Sequence, residues 1–154
     1  MESSDIKIDK DGIWYYKGAH MFRKEILSVF FENLKIDERG KYLIELEEER
    51  YYIDVEDTAF VVAAVSKTKL PDVGFEQIDI ILNDDSCEKL EINSLYEGMD
   101  NVLYCRVKQG IFAARFLRKS YYQLSEFIEQ SENEKDFFIA LNGKKYQINR
   151  SQDL

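Results

Sequence analysis

His20 is the only imidazole in this chain of 154 residues, and a serine or cysteine nucleophile needs a base that is itself held by a third group. Gly18-Ala19-His20 reads as a turn before a helix and no G-x-S-x-G elbow occurs, so His20 is expected to shield a helix start rather than act as a base. Cys87 and Cys105 lack C-x-x-C spacing and fall in different expected elements, which makes them free thiols. One histidine and two cysteines leave almost no room for zinc sites, histidine triads or a disulfide framework. Glu56-Asp57 has the composition of a carboxylate pair for metal or acid-base work. Adjacent strand residues point to opposite faces, however, and Asp57-Thr58 suits a turn, so a hydrolase built on them ranks last. Asn83-Asp84-Asp85-Ser86 lacks the glycine and closing glutamate of a calcium loop, and the seven single glycines form neither a Walker A loop nor G-x-G-x-x-G.

The remaining distinctive side chains hold things rather than transform them. Arg23 at a helix start, with Arg106 and Arg115 on neighbouring strands, offers forked donors for a phosphate or carboxylate. Arg115 alternates in phase with Ile111 and Ala113, and a part-buried arginine needs an acceptor; a structural ion pair with Glu56 or Asp57 is the stronger expectation. Ten tyrosines and ten phenylalanines include the doublets Tyr15-Tyr16, Tyr51-Tyr52 and Tyr121-Tyr122, each putting one ring on either side of its element. Core packing and sheet propensity account for most of them; stacking of a planar ligand is the functional alternative.

Composition bounds the partners. The 21 Lys and Arg against 30 Asp and Glu give a net charge of −9, which disfavours phosphate backbones and anionic lipid, so neither nucleic acid nor membrane is expected. With 45% hydrophobic and 33% charged residues, one proline and no long apolar run, the chain is expected to be globular. The opening MESSDIKIDKDG has neither a basic segment nor an apolar core of a signal peptide, and a cytoplasmic location is expected.

These residues need elements to position them. Asp11-Gly12 between Ile6–Ile8 and Ile13–Tyr16 predicts a type I′ hairpin. Ile26, Leu27, Phe30, Phe31 and Leu34 predict a helix over 23–34 laid on a sheet. Residues 41–46 and 50–55 predict a second hairpin, followed by strands over 60–65, 75–82 and, at an edge, 90–92. Lys67 to Gly74, with Pro71, is the expected exposed connection. A hairpin about Gln109-Gly110, a helix over 119–130 and a hairpin about Asn142-Gly143 complete the chain.

The order hairpin, helix, hairpin thus occurs twice. At a constant separation of 95, Tyr42, Leu43, Ile44 and Leu46 fall on Phe137, Phe138, Ile139 and Leu141; at 94, Leu27, Phe30 and Leu34 fall on Tyr121, Leu124 and Ile128. At 98, Gly12-Ile13 falls on Gly110-Ile111. The expectation is an α+β fold of internally duplicated β-β-α-β-β units around mainly antiparallel sheet, with residues 1–66 and 67–154 as the two packed units.

Asp11-Gly12-Ile13-Trp14-Tyr15-Tyr16-Lys17-Gly18, Arg23 and Ile53-Asp54-Val55-Glu56-Asp57-Thr58-Ala59-Phe60 resemble the D-G-x-W-x-Y-x-G segment, helix-opening arginine and V-E-D-x-P-F-like strand end of the bacterial DUF 1285 family. Leu103 to Val107, Gly110, Arg115, Tyr121, Tyr122 and Leu124 are similar to that family's C-terminal pattern, so the likeness spans roughly residues 5–148. Ala59 stands where the family has proline, and Met21-Phe22 replaces a smaller pair; both touch turn geometry. The resemblance implies a duplicated α+β core, a pleckstrin-homology-like second half, a groove between the halves for a nucleotide-like ligand, and a role in signalling, with no activity established for the family.

The sequence therefore predicts a non-enzymatic regulatory module binding a small anionic, planar ligand between its two halves. Trp14, Arg23, Arg106, Arg115, Tyr121 and Tyr122 are the expected ligand-binding residues, with no catalytic residue, metal or cofactor. A protein-interaction module using a sheet edge or aromatic patch is the alternative.

Overall fold

A computed structural model describes residues 2–133 and 135–150. The chain divides into two compact units, residues 1–59 and 60–154. The boundary expected at 66/67 falls inside a strand that runs from Phe60 to Lys69.

The first unit runs β1 (Glu2–Ile8), β2 (Trp14–Tyr16), β3 (Ala19–His20), α1 (Lys24–Glu32), β4 (Leu34–Ile36), β5 (Tyr42–Leu46) and β6 (Glu49–Val55). They form a six-stranded sheet in the order β3-β2-β1-β6-β5-β4. All neighbours are antiparallel except β1 and β6, which pair in parallel and join two meanders. Ile8, Trp14, Leu43 and Ile44 form the buried core; each fully buried side chain of this size contributes about 1.5–3 kcal/mol.

The first turn differs from the expected type I′. Gly12 has a positive φ of 79° and Asp11 does not, because Asp9 organises the loop. One Asp9 carboxylate oxygen accepts from the amides of Asp11 and Ile13, while its carbonyl accepts from Gly12. Asp37 repeats this wiring, its carboxylate accepting from Arg39 and Lys41 and its carbonyl from Gly40, which has φ 79°. An aspartate that satisfies two loop amides, followed by a glycine in the left-handed region, makes a longer turn than D-G alone suggests. Each aspartate also takes a tyrosine hydroxyl, Tyr15 on Asp9 at 3.2 Å and Tyr52 on Asp37 at 2.9 Å.

The second unit continues with β7 (Phe60–Lys69), β8 (Glu76–Leu82), β9 (Cys87–Lys89), β10 (Tyr96–Glu97), β11 (Leu103–Val107), β12 (Phe112–Phe116), α2 (Arg118–Ser125), β13 (Ile128–Gln130), β14 (Phe137–Leu141), β15 (Lys144–Gln147) and β16 (Asn149–Arg150). Seven strands form a sheet in the order β16-β10-β11-β12-β7-β8-β9, and β13-β14-β15 form a three-stranded antiparallel sheet. In the larger sheet β10 pairs with β16, and β12 with β7, in parallel. Period-two burial sets the faces: Ile78, Ile80 and Leu82 on β8, Leu103, Cys105 and Val107 on β11, and Phe112, Ala114 and Phe116 on β12 point into the core.

Both helices stop before their apolar pattern does. The pattern read as helix to Leu34 gives way at Asn33, and Leu34 is buried in β4; the pattern read as helix to Gln130 gives way after Ser125, and Ile128 enters β13. In each case the last apolar residue of the helical period is captured by a strand that pairs antiparallel with the next. The edge strand expected at 90–92 lies at Cys87–Lys89, and Ile92–Ser94 is a short 3-10 turn. Asn142 and Gly143, at φ 52° and 78°, form the expected two-residue hairpin between Leu141 and Lys144. Neither described helix is long and apolar enough to cross a membrane.

Candidate functional site

The arginines and aromatics singled out in the sequence do not form one cluster. Trp14 is 2% exposed. Its ring packs edge-on against Phe31 at 5.0 Å and tilted against Phe30 at 6.0 Å, so it belongs to the core beneath α1. Arg23 is the residue preceding α1, exposed, and lines a groove of the first unit with apolar neighbours.

Within the second unit, Arg106 stands opposite Ala113 and Arg115 opposite Tyr104, which makes the two arginines diagonal neighbours on one face of the β11–β12 pair. The Arg106 guanidinium donates to the carbonyls of Gly110 and Ile111, at 3.0 and 3.2 Å from Nη2, and so braces its own hairpin turn. Arg115 is half-buried beside Val61.

The rings of Tyr121 and Tyr122 meet edge to face at 5.8 Å but differ in exposure. Tyr122 is 56% exposed. Arg118, one turn earlier, lies 6.0 Å from its ring centre, and its charge is held more firmly by a hydrogen bond to Tyr122. Tyr121 instead turns into a cavity of about 640 Å³ bounded by α2, β13, the start of β14 and the strands leading to β16.

Backbone and side-chain bonds fix that cavity. Ser120 Oγ donates to the Val62 carbonyl at 2.6 Å, and Gln123 Oε1 accepts from the Val65 amide at 2.7 Å, which clamps α2 onto β7 and sets the direction of Tyr121. Leu103 and Ile148 are buried apolar lining, and Phe137 contributes a half-buried ring. The rest of the lining is largely polar: Lys135 and Arg150 bring positive charge, Glu97 and Asp136 negative charge, and Gln130, Gln147 and Asn149 carboxamides. Arg150 Nη2 donates to the Lys135 carbonyl at 3.2 Å, tying the two cationic residues together. Glu97 stands next to Arg150 in the parallel register of β10 and β16.

Of the six expected residues, Tyr121 alone lines this cavity. Lys135, Arg150, Gln147 and Asn149 were not singled out, since Lys135 lies in a loop and the others in the short strands β15 and β16, none within a motif. Asn149 and Arg150 are held at the cavity by the parallel pairing of β16 with β10, which leaves no local trace in the sequence.

Elsewhere Asp84 and Lys108 form a partly buried ion pair. Asp84 accepts from Lys108 Nζ at 2.7 Å. Burial opposes its charge, but the lysine and Ser86 outweigh that and hold the carboxyl below the usual aspartate range. Burial pushes the Cys105 thiol up to about 12, with Glu88 adding to the shift. Among the described residues no group of three or more His, Cys, Asp or Glu is placed to hold a metal ion.

Residues 1–58 match the family model described as the domain of unknown function DUF1285, N-terminal domain. That match takes in almost the whole of the first unit. The chain is also similar in fold to two crystallised DUF1285 family proteins. The one from Silicibacter pomeroyi DSS-3 is 20% identical, with a TM-score of 0.77 over 99% of this chain and 83% of that one. The one from Shewanella baltica OS155 is 16% identical, with a TM-score of 0.63 over 79% of this chain and 90% of that one. No curated protein matches in sequence. The DUF1285 likeness therefore extends in fold beyond the matched residues, through the unit that holds the cavity.

Proposed function

We propose that this DUF1285 protein is a non-enzymatic ligand-binding module, and that a small, planar, anionic ligand of nucleotide type occupies the cavity beside Tyr121. The observation that carries the reading is the cavity's composition. A tyrosine and a phenylalanine ring stand with Lys135, Arg150 and several carboxamides around about 640 Å³, a size usual for small-molecule sites. Rings supply a stacking surface, the cations take a phosphate or carboxylate, and carboxamides read a base edge in both donor and acceptor senses. Tyr122, Arg106 and Arg115 lie outside this lining, and Arg23 belongs to the other unit. A cytoplasmic signalling role, in which occupancy is reported to a partner, completes the reading.

We also infer an internal repeat. Its support is the element order, three strands, a helix and three strands in β1–β6 with α1 and again in β10–β15 with α2, one strand longer at each end than β-β-α-β-β. α1 and α2 begin at 24 and 118, β4 and β13 at 34 and 128, β5 and β14 at 42 and 137, and β6 and β15 at 49 and 144. In this alignment the turn at Gly110 corresponds to Lys17-Gly18, between β2 and β3, rather than to Gly12. Tyr121 corresponds to Leu27, which gives a reason for the tyrosine-lined cavity in the second unit. The pleckstrin-homology-like description of the second half rests on the family resemblance.

The test is thermal unfolding of the full chain with purine and pyrimidine nucleotides at millimolar concentration. A ligand at a hundred times its Kd stabilises by about 2.7 kcal/mol, a rise in Tm of several degrees. The rise should be lost in Tyr121→Ala and Arg150→Ala. No rise with any nucleotide overturns the reading.

A further inference from the structure

The first unit carries an apolar groove that its own residues leave open, and we propose that it takes an extended, acidic and apolar segment of a partner protein. The inference is independent of the cavity beside Tyr121. It begins with α1, whose apolar residues cluster on one side and yet include none that is buried. Ile26 is 40% exposed, Val29 44%, and Phe22, just before the helix, 74%. A nine-residue helix is held by packing rather than by propensity, so an open apolar face leaves stabilisation unused until something covers it.

Ile6, Tyr16, Met21, Phe22, Ile26 and Phe30 line a groove of about 480 Å³ between α1 and the β2–β3 margin. β3 is the outer strand of its sheet. An apolar groove beside a sheet edge suits an extended peptide, whose backbone pairs with the edge while alternate side chains enter the groove.

Charge selects the occupant. The groove lining contains Arg23 and His20 and no carboxylate. Residues 12–24 hold Lys17, Arg23 and Lys24 without a single Asp or Glu, within a chain of net charge −9. A basic rim on an acidic protein favours an acidic segment. A second copy would bring two chains of charge −9 together, and an anionic membrane would meet the negative charge of the rest of the surface.

Random peptides displayed on phage and panned against the full chain at low salt test the proposal. The expected peptides combine Leu, Ile or aromatic residues with Asp or Glu and bind less tightly as salt rises. Synthetic copies should lose at least tenfold in affinity against Phe22→Asp, Ile26→Asp and Arg23→Glu, and should protect the His20 amide, which points away from β2, from hydrogen exchange. All three side chains are exposed, so the variants should keep the parent's denaturation midpoint, and Phe22→Asp serves if Ile26→Asp does not fold. Peptides without acidic bias, or equal binding to Phe22→Asp, overturn the proposal. Dimerisation in sedimentation that Phe22→Asp abolishes would put a second copy in the groove, and binding to phosphatidylserine vesicles that it abolishes would put a lipid surface there; either overturns it.

Discussion

The side-chain amide of Asn142 forms two hydrogen bonds with the backbone of Glu76, accepting from its N–H at 2.7 Å and donating to its carbonyl at 2.8 Å. Asn142 is also one of the two left-handed residues of the β14–β15 turn, so one residue both helps to reverse a hairpin and docks that hairpin on the start of β8. Asn142→Gly keeps the backbone conformation and removes the docking. It is expected to lower stability by about 1 kcal/mol, since each exposed bond contributes at the low end of the usual range. Asn142→Ala loses the same bonds and adds strain at positive φ, so it should lie below Asn142→Gly in urea denaturation.

The Asp37 turn of the first unit predicts a paired titration. The amide of Lys41, the Tyr52 hydroxyl and the Arg39 amide hold the Asp37 carboxyl below the usual aspartate range despite partial desolvation, and the same bond to Asp37 raises the Tyr52 phenol. NMR titration should find both displacements, and Asp37→Asn should bring Tyr52 down while keeping an oxygen for the loop amides. A Tyr52 unchanged by the substitution would contradict the pairing.

Asp84 gives an acid limb. Its carboxyl titrates lower in the folded chain than in the unfolded one, so the unfolded state binds the proton first as pH falls. The stabilisation is complete above the ordinary aspartate range and disappears as pH drops through the folded value. Lys108→Met should reduce stability at neutral pH and flatten this limb, measured as denaturation midpoints between pH 7 and pH 3.

The cysteines should behave as one reactive and one silent thiol. Cys87 is exposed, and Cys105 is buried with its thiol pushed up to about 12. Since the thiolate is the reactive form, a disulfide reagent at neutral pH should modify one thiol in the folded protein and both in guanidinium. Rapid modification of Cys105 in the folded state would contradict its placement.

Local chemistry was the legible layer. Strand alternation read β8, β11 and β12 correctly because each buries one face, and Asn142-Gly143 announced its turn because only that backbone suits the dipeptide. Asp11-Gly12 misled because the organising group, the Asp9 carboxylate, sits two residues outside the motif. Leu34 and Ile128 misled because helical period and a following strand share the same apolar residue. Trp14 reads as a ligand platform in a sequence and proves to be core once Phe30 and Phe31 close on it. The cavity was least legible: Arg150 joins its lining through the parallel pairing of β16 with β10, segments distant in sequence, which no local pattern encodes.

The central claim is tested most directly by NMR of the full chain, amide-labelled, titrated with adenosine and guanosine nucleotides at millimolar concentration. The account predicts saturable shifts concentrated at Tyr121, Lys135, Asn149 and Arg150, with Trp14 and Arg106 unmoved. No saturable shift, or a cluster that leaves Tyr121 and Arg150 unperturbed, would contradict it.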